Sequence, residues 1–323
     1  MGPPLRFGIM PYLGSWPRPL EEWAPTAKKI EKLGYDTLLQ CDHFYRANYD
    51  PVAMLASAAA ATTTLRLGTL VFNVDYRHPV VLAQVAASLY LLSGGRYEFG
   101  LGAGWAKTEY ERAGIRFDAP AARIQRLEEA LQIIKSMWTD DQTTFTGKQY
   151  TVRQVDKAGD FPEGQRPKIL VGGGGRKVLS VAGRHADTVG INMSVPGGSL
   201  AEAIRSQSME ALRMKVGWAR AAAKRVGRDP DGLEYQLHIP WVGLTDDPKK
   251  AYMQLAERFN LTLDEVVGCP QIMYGSGDEI RSRLRQLTRE TSVTYFTFGL
   301  MDDSAFTEFA QSVIGPIKGQ PGI

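Results

Sequence analysis

Eight short apolar runs, separated by longer segments of helical spacing, constrain this chain more than any other feature. They are Arg6–Met10, Thr37–Gln40, Arg66–Val71, Tyr97–Leu101, Lys168–Val171, Thr188–Ile191, Tyr235–Leu244 and Tyr295–Phe298. Between them the spacing predicts helices over Leu20–Leu33, Val52–Thr63, Pro79–Leu92, Ala121–Trp138, Lys177–His185, Ala201–Val226, Pro248–Val267, Asp278–Glu290 and Phe306–Ile314. Strands that alternate with helices pair in parallel through right-handed crossovers. Eight such units close a barrel, whereas five or six give an open sheet. The predicted fold class is therefore α/β, a (β/α)8 TIM barrel.

A barrel accommodates all 323 residues as one domain, so residues 1–323 are read as a single unit. The polar stretch 139–167, with a hairpin expected around Thr146-Gly147-Lys148, reads as an insertion between strands four and five. Helix Pro79–Leu92 is apolar nearly all round, which fits a face covered by a second copy, so a homodimer is expected. The alternative is that the insertion covers it. A net charge of +3, with no run of five like charges, leaves no electrostatic footprint for nucleic acid or a membrane surface. The two cysteines, Cys41 and Cys269, lie far apart, which excludes a disulfide framework and C-x-x-C spacing. The four histidines, His43, His78, His185 and His238, are scattered, so no metal site is expected. No leader is read at the first ten residues, and no stretch approaches the roughly 18 apolar residues of a membrane helix. A cytoplasmic location is the default expectation.

Barrel chemistry sits where the strands end. Tyr12 follows strand one, and Cys41-Asp42-His43-Phe44, with Tyr45 just beyond, follows strand two. Asn73 follows strand three, Gly102-Ala103-Gly104-Trp105 strand four, Gly172–Gly175 and Arg176 strand five, and Asn192 strand six; Trp241 lies late in strand seven. Aromatic, polar and glycine-rich residues on one rim suit a flat ring with an anionic tail. His43 is the candidate for moving a proton near neutral pH, with Asp42 beside it. The alternative is structural, with Asp42 as a cap and His43 as a donor within the frame. Gly172–Gly175 precedes a helix start, where free amides, a positive helix end and Arg176 suit a phosphate; a flexible turn is the alternative. Gly174 is expected to accept a β-branched residue without loss of the fold. Gly100-x-Gly102-x-Gly104 is not a dinucleotide fingerprint, because the third spacing is missing. Glu109 is read as a surface or capping residue.

Several of these segments together resemble a known family. Gly34-Tyr35-Asp36, Cys41-Asp42-His43-Phe44, Leu67-Gly68-Thr69-Leu70-Val71, Arg77-His78-Pro79, the run Gly94 to Trp105, Gly172–Gly175 and Ala186-Asp187 occur in the order seen in luciferase-like monooxygenases and their coenzyme F420-dependent relatives. The resemblance covers nearly the whole chain. It implies a barrel, frequent dimers, and coenzyme F420 or, as the alternative, FMN on the rim. It implies that His43 exchanges a proton during hydride transfer and that the Leu70–Val71 peptide is cis. It also implies that Thr69, Leu70 and Val71 support the ring and that the glycine turn holds the phosphate. Two positions depart from the sugar-phosphate and alcohol dehydrogenase branches: Ala47 stands where they carry tryptophan, and Trp105 where they carry glutamate. Substrate chemistry is therefore not carried over, and Tyr12, Tyr45, Trp105 and Trp241 are expected to form an apolar or aromatic substrate wall.

Three functions compete. One is an F420-dependent oxidoreductase acting on a small organic substrate. The second is an FMN monooxygenase fed by a partner reductase, and the third a barrel that binds flavin without catalysis. The Asp42-His43 pair argues against the third, since a pure binder needs no proton donor.

Overall fold

The computed structural model describes residues 4–11, 20–44, 49–195, 199–299 and 303–319. The barrel strands are β1 (Arg6–Ile9), β2 (Thr37–Gln40), β3 (Arg66–Thr69), β4 (Tyr97–Gly102), β5 (Lys168–Gly173), β6 (Thr188–Ile191), β7 (Glu234–Ile239) and β8 (Tyr295–Phe298). Each pairs in parallel with the next, and β8 returns to β1 in the register Arg6↔Tyr295 to Ile9↔Phe298. The sheet closes, as the eight apolar runs require, and helices cover it.

Alternation along each strand decides what fills the interior. A Cβ on Gly8 would touch Leu39, Thr297 and Tyr295, so these residues converge on the axis. Met10, Leu39, Cys41, Leu70, Leu170 and Tyr295 pack together there, with Val71 at their edge. The N-terminal end of the barrel is sealed by charge. Arg6 donates to both oxygens of Glu234 at 2.9 and 2.7 Å and to Glu98 at 2.6 Å, and Arg66 reaches Glu98 at 2.5 Å. Burial pushes the Glu98 carboxyl up, but the Arg6 and Arg66 guanidinium charges outweigh it and hold the group below the ordinary glutamate range. The opposite, C-terminal end is left as the mouth.

The structure departs from these expectations in several places. Strand seven was expected to run from Tyr235 to Leu244, yet it stops at Ile239. Pro240 has no N–H for the ladder, and Trp241–Leu244 pairs instead with Ile272–Gly275, a strand the sequence reading did not contain. The expected helix Ala201–Val226 is two helices, Leu200–Arg205 and Met209–Arg225, and the Ser208 hydroxyl caps the second. Pro248–Val267 is likewise divided by Asn260 in the left-handed region and a Thr262–Glu265 capping box. A further helix, Lys107–Ala113, follows β4.

Residues Gln142–Thr146 and Thr151–Asp156 form an antiparallel hairpin between β4 and β5. The loop after it reaches helix Pro79–Leu92, where Phe161 stacks edge-on to Tyr90. That helix buries Leu82, Ala83, Ala86, Leu89 and Tyr90 and exposes Val81, Leu91 and Leu92. None of the helices described is long and apolar enough to cross a membrane.

Candidate active site

The segment after β2 turns outward over the mouth, and two carboxylates hold it from opposite sides. Asp42 is buried and accepts two hydrogen bonds from one nitrogen of the Arg77 guanidinium, at 2.9 and 2.7 Å. It also accepts the backbone N–H of Asn73 at 3.1 Å. Burial raises the Asp42 carboxyl, and the Arg77 pair opposes that rise. His43, one residue on, faces the other way. Its Nδ1 lies 2.9 and 3.0 Å from the two oxygens of Glu109, and the Phe44 N–H reaches the same carboxylate at 3.3 Å. Glu109 was expected at the surface or in a cap. It is 7% exposed, because helix Lys107–Ala113 folds back and turns its first turn against the rim. Tyr76 adds a long contact to Glu109 at 3.5 Å, and burial raises the Tyr76 phenol to about 12, so it stays a donor.

An imidazole whose Nδ1 faces a carboxylate keeps its proton there. Trp105 stands edge-on to the His43 ring, 5.8 Å between centroids at 79°, and is 41% exposed. A carboxylate-held imidazole and an open apolar wall therefore share one side of the mouth.

The next side is a bed of small residues. The Leu70–Val71 peptide is cis, at the bond that the resemblance named. Val71 is part-exposed, and a Cβ on Gly102 would lie 2.6 Å from its Cγ2, one on Gly172 3.1 Å from its Cγ1. Glycines at these positions leave Val71 uncovered. Thr69 is turned away from this surface, its hydroxyl bridging β3 and β4 through Gly100 N and O at 3.0 and 2.8 Å. Leu70 is buried in the barrel interior. Gly104 has φ +69° and sits against Tyr110 and Asn73, and Arg123 clamps its carbonyl at 2.7 Å. The Asn73 amide is engaged by the Tyr110 hydroxyl, so it braces the rim from behind.

The four glycines that end β5 and lead into the next helix have different reasons. A Cβ on Gly173 would meet Val178 at 2.3 Å, and one on Gly174 would meet the Met193 carbonyl oxygen at 2.4 Å. The expectation that Gly174 tolerates a β-branched residue is therefore wrong: backbone fills the space its side chain needs. Gly175 has nothing within 4 Å and stands just before helix Arg176–His185 with no side-chain cap. Gly175, Arg176 and Lys177 are exposed, so the first amides of that helix face solvent. Asn192 lies beside this turn. Its N–H donates to the Gly173 carbonyl at 2.9 Å, and its own carbonyl accepts from the buried Lys215 at 3.0 Å.

Of the remaining expected site residues, Tyr12 and Tyr45, like Ala47, lie outside the described residues. Trp241 packs edge-on to Phe259 in a satellite cluster with Ile272 and Met193. The sequence reading missed Glu109, Arg77, Arg123 and Lys215 as site supports. Arg77 alone had a signal, its place in Arg77-His78-Pro79. Among the described residues, no group of three His, Cys, Asp or Glu side chains is placed to hold a metal.

The chain is 33% identical over 178 residues to the F420-dependent glucose-6-phosphate dehydrogenase of Amycolatopsis mediterranei, covering 53% of this chain and 52% of that one. It is 34% identical over 220 residues to the protein of that name from Kineococcus radiotolerans, covering 63% and 62%. The chain thus spans between about half and three fifths of the length of these relatives. A solved structure of an F420-dependent secondary alcohol dehydrogenase, in complex with an F420-acetone adduct, shares the fold with a TM-score of 0.78 at 19% identity, over 97% of this chain and 99% of that one. The family model described as luciferase-like monooxygenase matches residues 5–292, and the chain belongs to that family.

Proposed function

We propose that this protein is an oxidoreductase that moves a hydride between coenzyme F420 and a small apolar or aromatic organic substrate. The observation that carries the proposal is the His43–Glu109 couple beside the exposed Trp105 on the barrel mouth. The F420-dependent relatives supply the cofactor. The mouth fits such a group: Gly102 and Gly172 bare Val71 as a flat apolar support, and Gly175 opens the start of a ten-residue helix to an anion.

When bound, the cofactor supplies a two-electron hydride carrier. The chain's own residues do the rest. Val71, Gly102, Ala103 and Gly104 bear the ring. Gly172–Gly175, Arg176 and Asn192 line the turn that takes the phosphate through backbone N–H groups and charge. His43 exchanges, at Nε2, the proton that accompanies the hydride, and the Glu109 carboxylate stabilises the imidazolium. Asp42 is a positioning residue. Held by Arg77 and Asn73, it fixes the backbone from which His43 projects. Trp105 forms the substrate wall, with Tyr12 and Tyr45 assigned beside it on sequence grounds. Helix Pro79–Leu92, with Val81, Leu91 and Leu92 exposed, is assigned to a homodimer contact.

Spectroscopic titration of the protein with oxidised F420 and with FMN tests the reading. F420 binds, and His43→Ala keeps the affinity while turnover falls roughly 10²–10⁴-fold. Tight FMN binding without deazaflavin binding, together with oxygen-dependent product, would move the protein to the monooxygenase reading. Unchanged turnover in His43→Ala would remove the proton role.

A further inference from the structure

The floor of the mouth carries a second histidine. His238 lies on β7 two residues after Gln236, so both side chains point the same way. Their neighbours fix that direction as inward. Gln236 Nε2 donates to Thr297 Oγ1 at 2.7 Å, and His238 Nδ1 lies 3.0 Å from the same hydroxyl. Thr297 faces the axis beside Gly8 and Leu39, and a Cβ on Gly190, the partner of Gln236 on the adjacent strand β6, would meet Gln236 Oε1 at 3.1 Å. Below this layer the barrel is filled by Tyr295 and the Arg6–Glu98–Glu234 network. His238 is nevertheless part-exposed, above this filled layer and toward the C-terminal mouth.

Hydrogen-bond accounting sets the tautomer. Thr297 Oγ1 accepts from Gln236 and has one proton to give. Among the described residues, the acceptor within reach of that proton is His238 Nδ1. With the Gln236 amide turned so that its Nε2 donates, that proton goes to Nδ1, because a buried hydroxyl proton without an acceptor is costly, and the ring hydrogen sits on Nε2. The residue is also tied from behind. Its carbonyl accepts from Gln271 at 2.7 Å, Gln207 donates to Gln271 at 2.7 Å, and Lys215 donates to Gln207 at 2.5 Å. Burial pushes the imidazole down to about 4, which keeps the ring neutral near pH 7.

We infer that His238 is a ligand-contacting residue on the floor of the mouth, a neutral Nε2–H donor to a carbonyl oxygen of the bound ring or of the substrate. The inference rests on the proposed use of the mouth as a ring-binding pocket. The acceptor is a carbonyl because a neutral donor offers no charge to a phosphate and a protonated Nε2 cannot accept a hydroxyl proton. His238 stands on β7 and His43 after β2, with β8 and β1 between them, so the two approach a ligand from different sides.

Two substitutions separate the donor from the frame. His238→Asn puts an amide where Nδ1 stood and removes the donor at Nε2. His238→Gln carries an amide out to the Nε2 position. If the carbonyl belongs to the cofactor, His238→Asn weakens binding of the oxidised cofactor alone by roughly tenfold or more. If it belongs to the substrate, cofactor affinity holds and KM rises by a similar factor. In both cases His238→Gln recovers most of the loss, and thermal melting shows both variants folded. Long-range ¹H–¹⁵N NMR of histidine-labelled protein reads the tautomer without any assay of activity, and the hydrogen is expected on Nε2. A hydrogen on Nδ1 overturns the inference. So do unchanged cofactor affinity and KM in His238→Asn when the wild type binds the cofactor. A wild-type protein that binds neither cofactor overturns the proposed function instead, and the NMR result still decides the tautomer.

Discussion

Replacing Glu109 with Gln isolates what the carboxylate does for His43. The amide oxygen of Gln can still accept from Nδ1, and the Phe44 N–H, 3.3 Å from the carboxylate in the wild type, keeps an acceptor. What is lost is charge. Two contacts of 2.9 and 3.0 Å join the groups, and their side chains are 20% and 8% exposed, so the pair is partly screened rather than fully buried. A hydrogen bond to a charged group contributes about 1.5–3 kcal/mol against about 0.5–1.5 for a neutral one. The difference, about 1–1.5 kcal/mol, corresponds to roughly a five- to tenfold fall in the rate of the proton-coupled step. Glu109→Ala removes the acceptor as well and frees the ring, so its loss should reach roughly a hundredfold. Single-turnover oxidation of reduced cofactor by an acceptor that supports wild-type turnover reads the rate, and equilibrium titration reads cofactor affinity, which should stay within about twofold. Wild-type rates in both variants would refute the argument. Equal loss in both would show that Gln fails to hold the ring and that charge is not the operative quantity.

Three further outcomes follow from the same geometry. Gly175→Val meets no atom within 4 Å and has an extended backbone (φ −93°, ψ 156°), so it should fold normally yet weaken cofactor binding by roughly tenfold, whereas Gly174→Val should lower the melting temperature; the reverse pattern would misplace the phosphate turn. Arg77→Met leaves the buried Asp42 carboxylate unpaired and should cost about 3 kcal/mol in chemical denaturation, partly recovered in Asp42→Asn/Arg77→Met; a wild-type midpoint for the single variant would contradict this. Glu31 accepts the N–H groups of Thr63, Thr64 and Leu65, which, against the upward push of burial, bring its carboxyl down to about 2. A depressed folded-state value stabilises the protein above the unfolded value near 4.3 and is lost as pH falls from about 5 toward 2, so Glu31→Gln should flatten that limb by about 1–2 kcal/mol after solvent screening, and an unchanged slope would exclude it.

The barrel was legible because each of its strands is a short continuous apolar run, and eight of them admit one closure. The rim was legible for the same reason: once the strands are placed, the residues that follow them are candidates by position. Both readings weakened where one chain segment serves two neighbours. Pro240 ends β7, but only Ile272–Gly275 lying alongside shows that Trp241–Leu244 belongs to a second small sheet. Gly172–Gly175 look equivalent in sequence, and the Met193 backbone makes Gly174 obligatory while Gly175 stays open.

Sequence alone settles the period of strands and helices, the closed α/β architecture and the type of residue at each strand end, because these depend on local hydrophobic pattern and chain direction. Which charged groups meet was decided by the tertiary structure. Glu109 follows His43 by 66 residues and reaches it only because helix Lys107–Ala113 folds back across the mouth. Asp42 adjoins His43 in sequence yet turns to Arg77, since neighbouring residues on an extended segment point to opposite sides. A hydrogen-bond partner is set by distance in space, and nothing in the linear order of the chain encodes that distance for a single carboxylate.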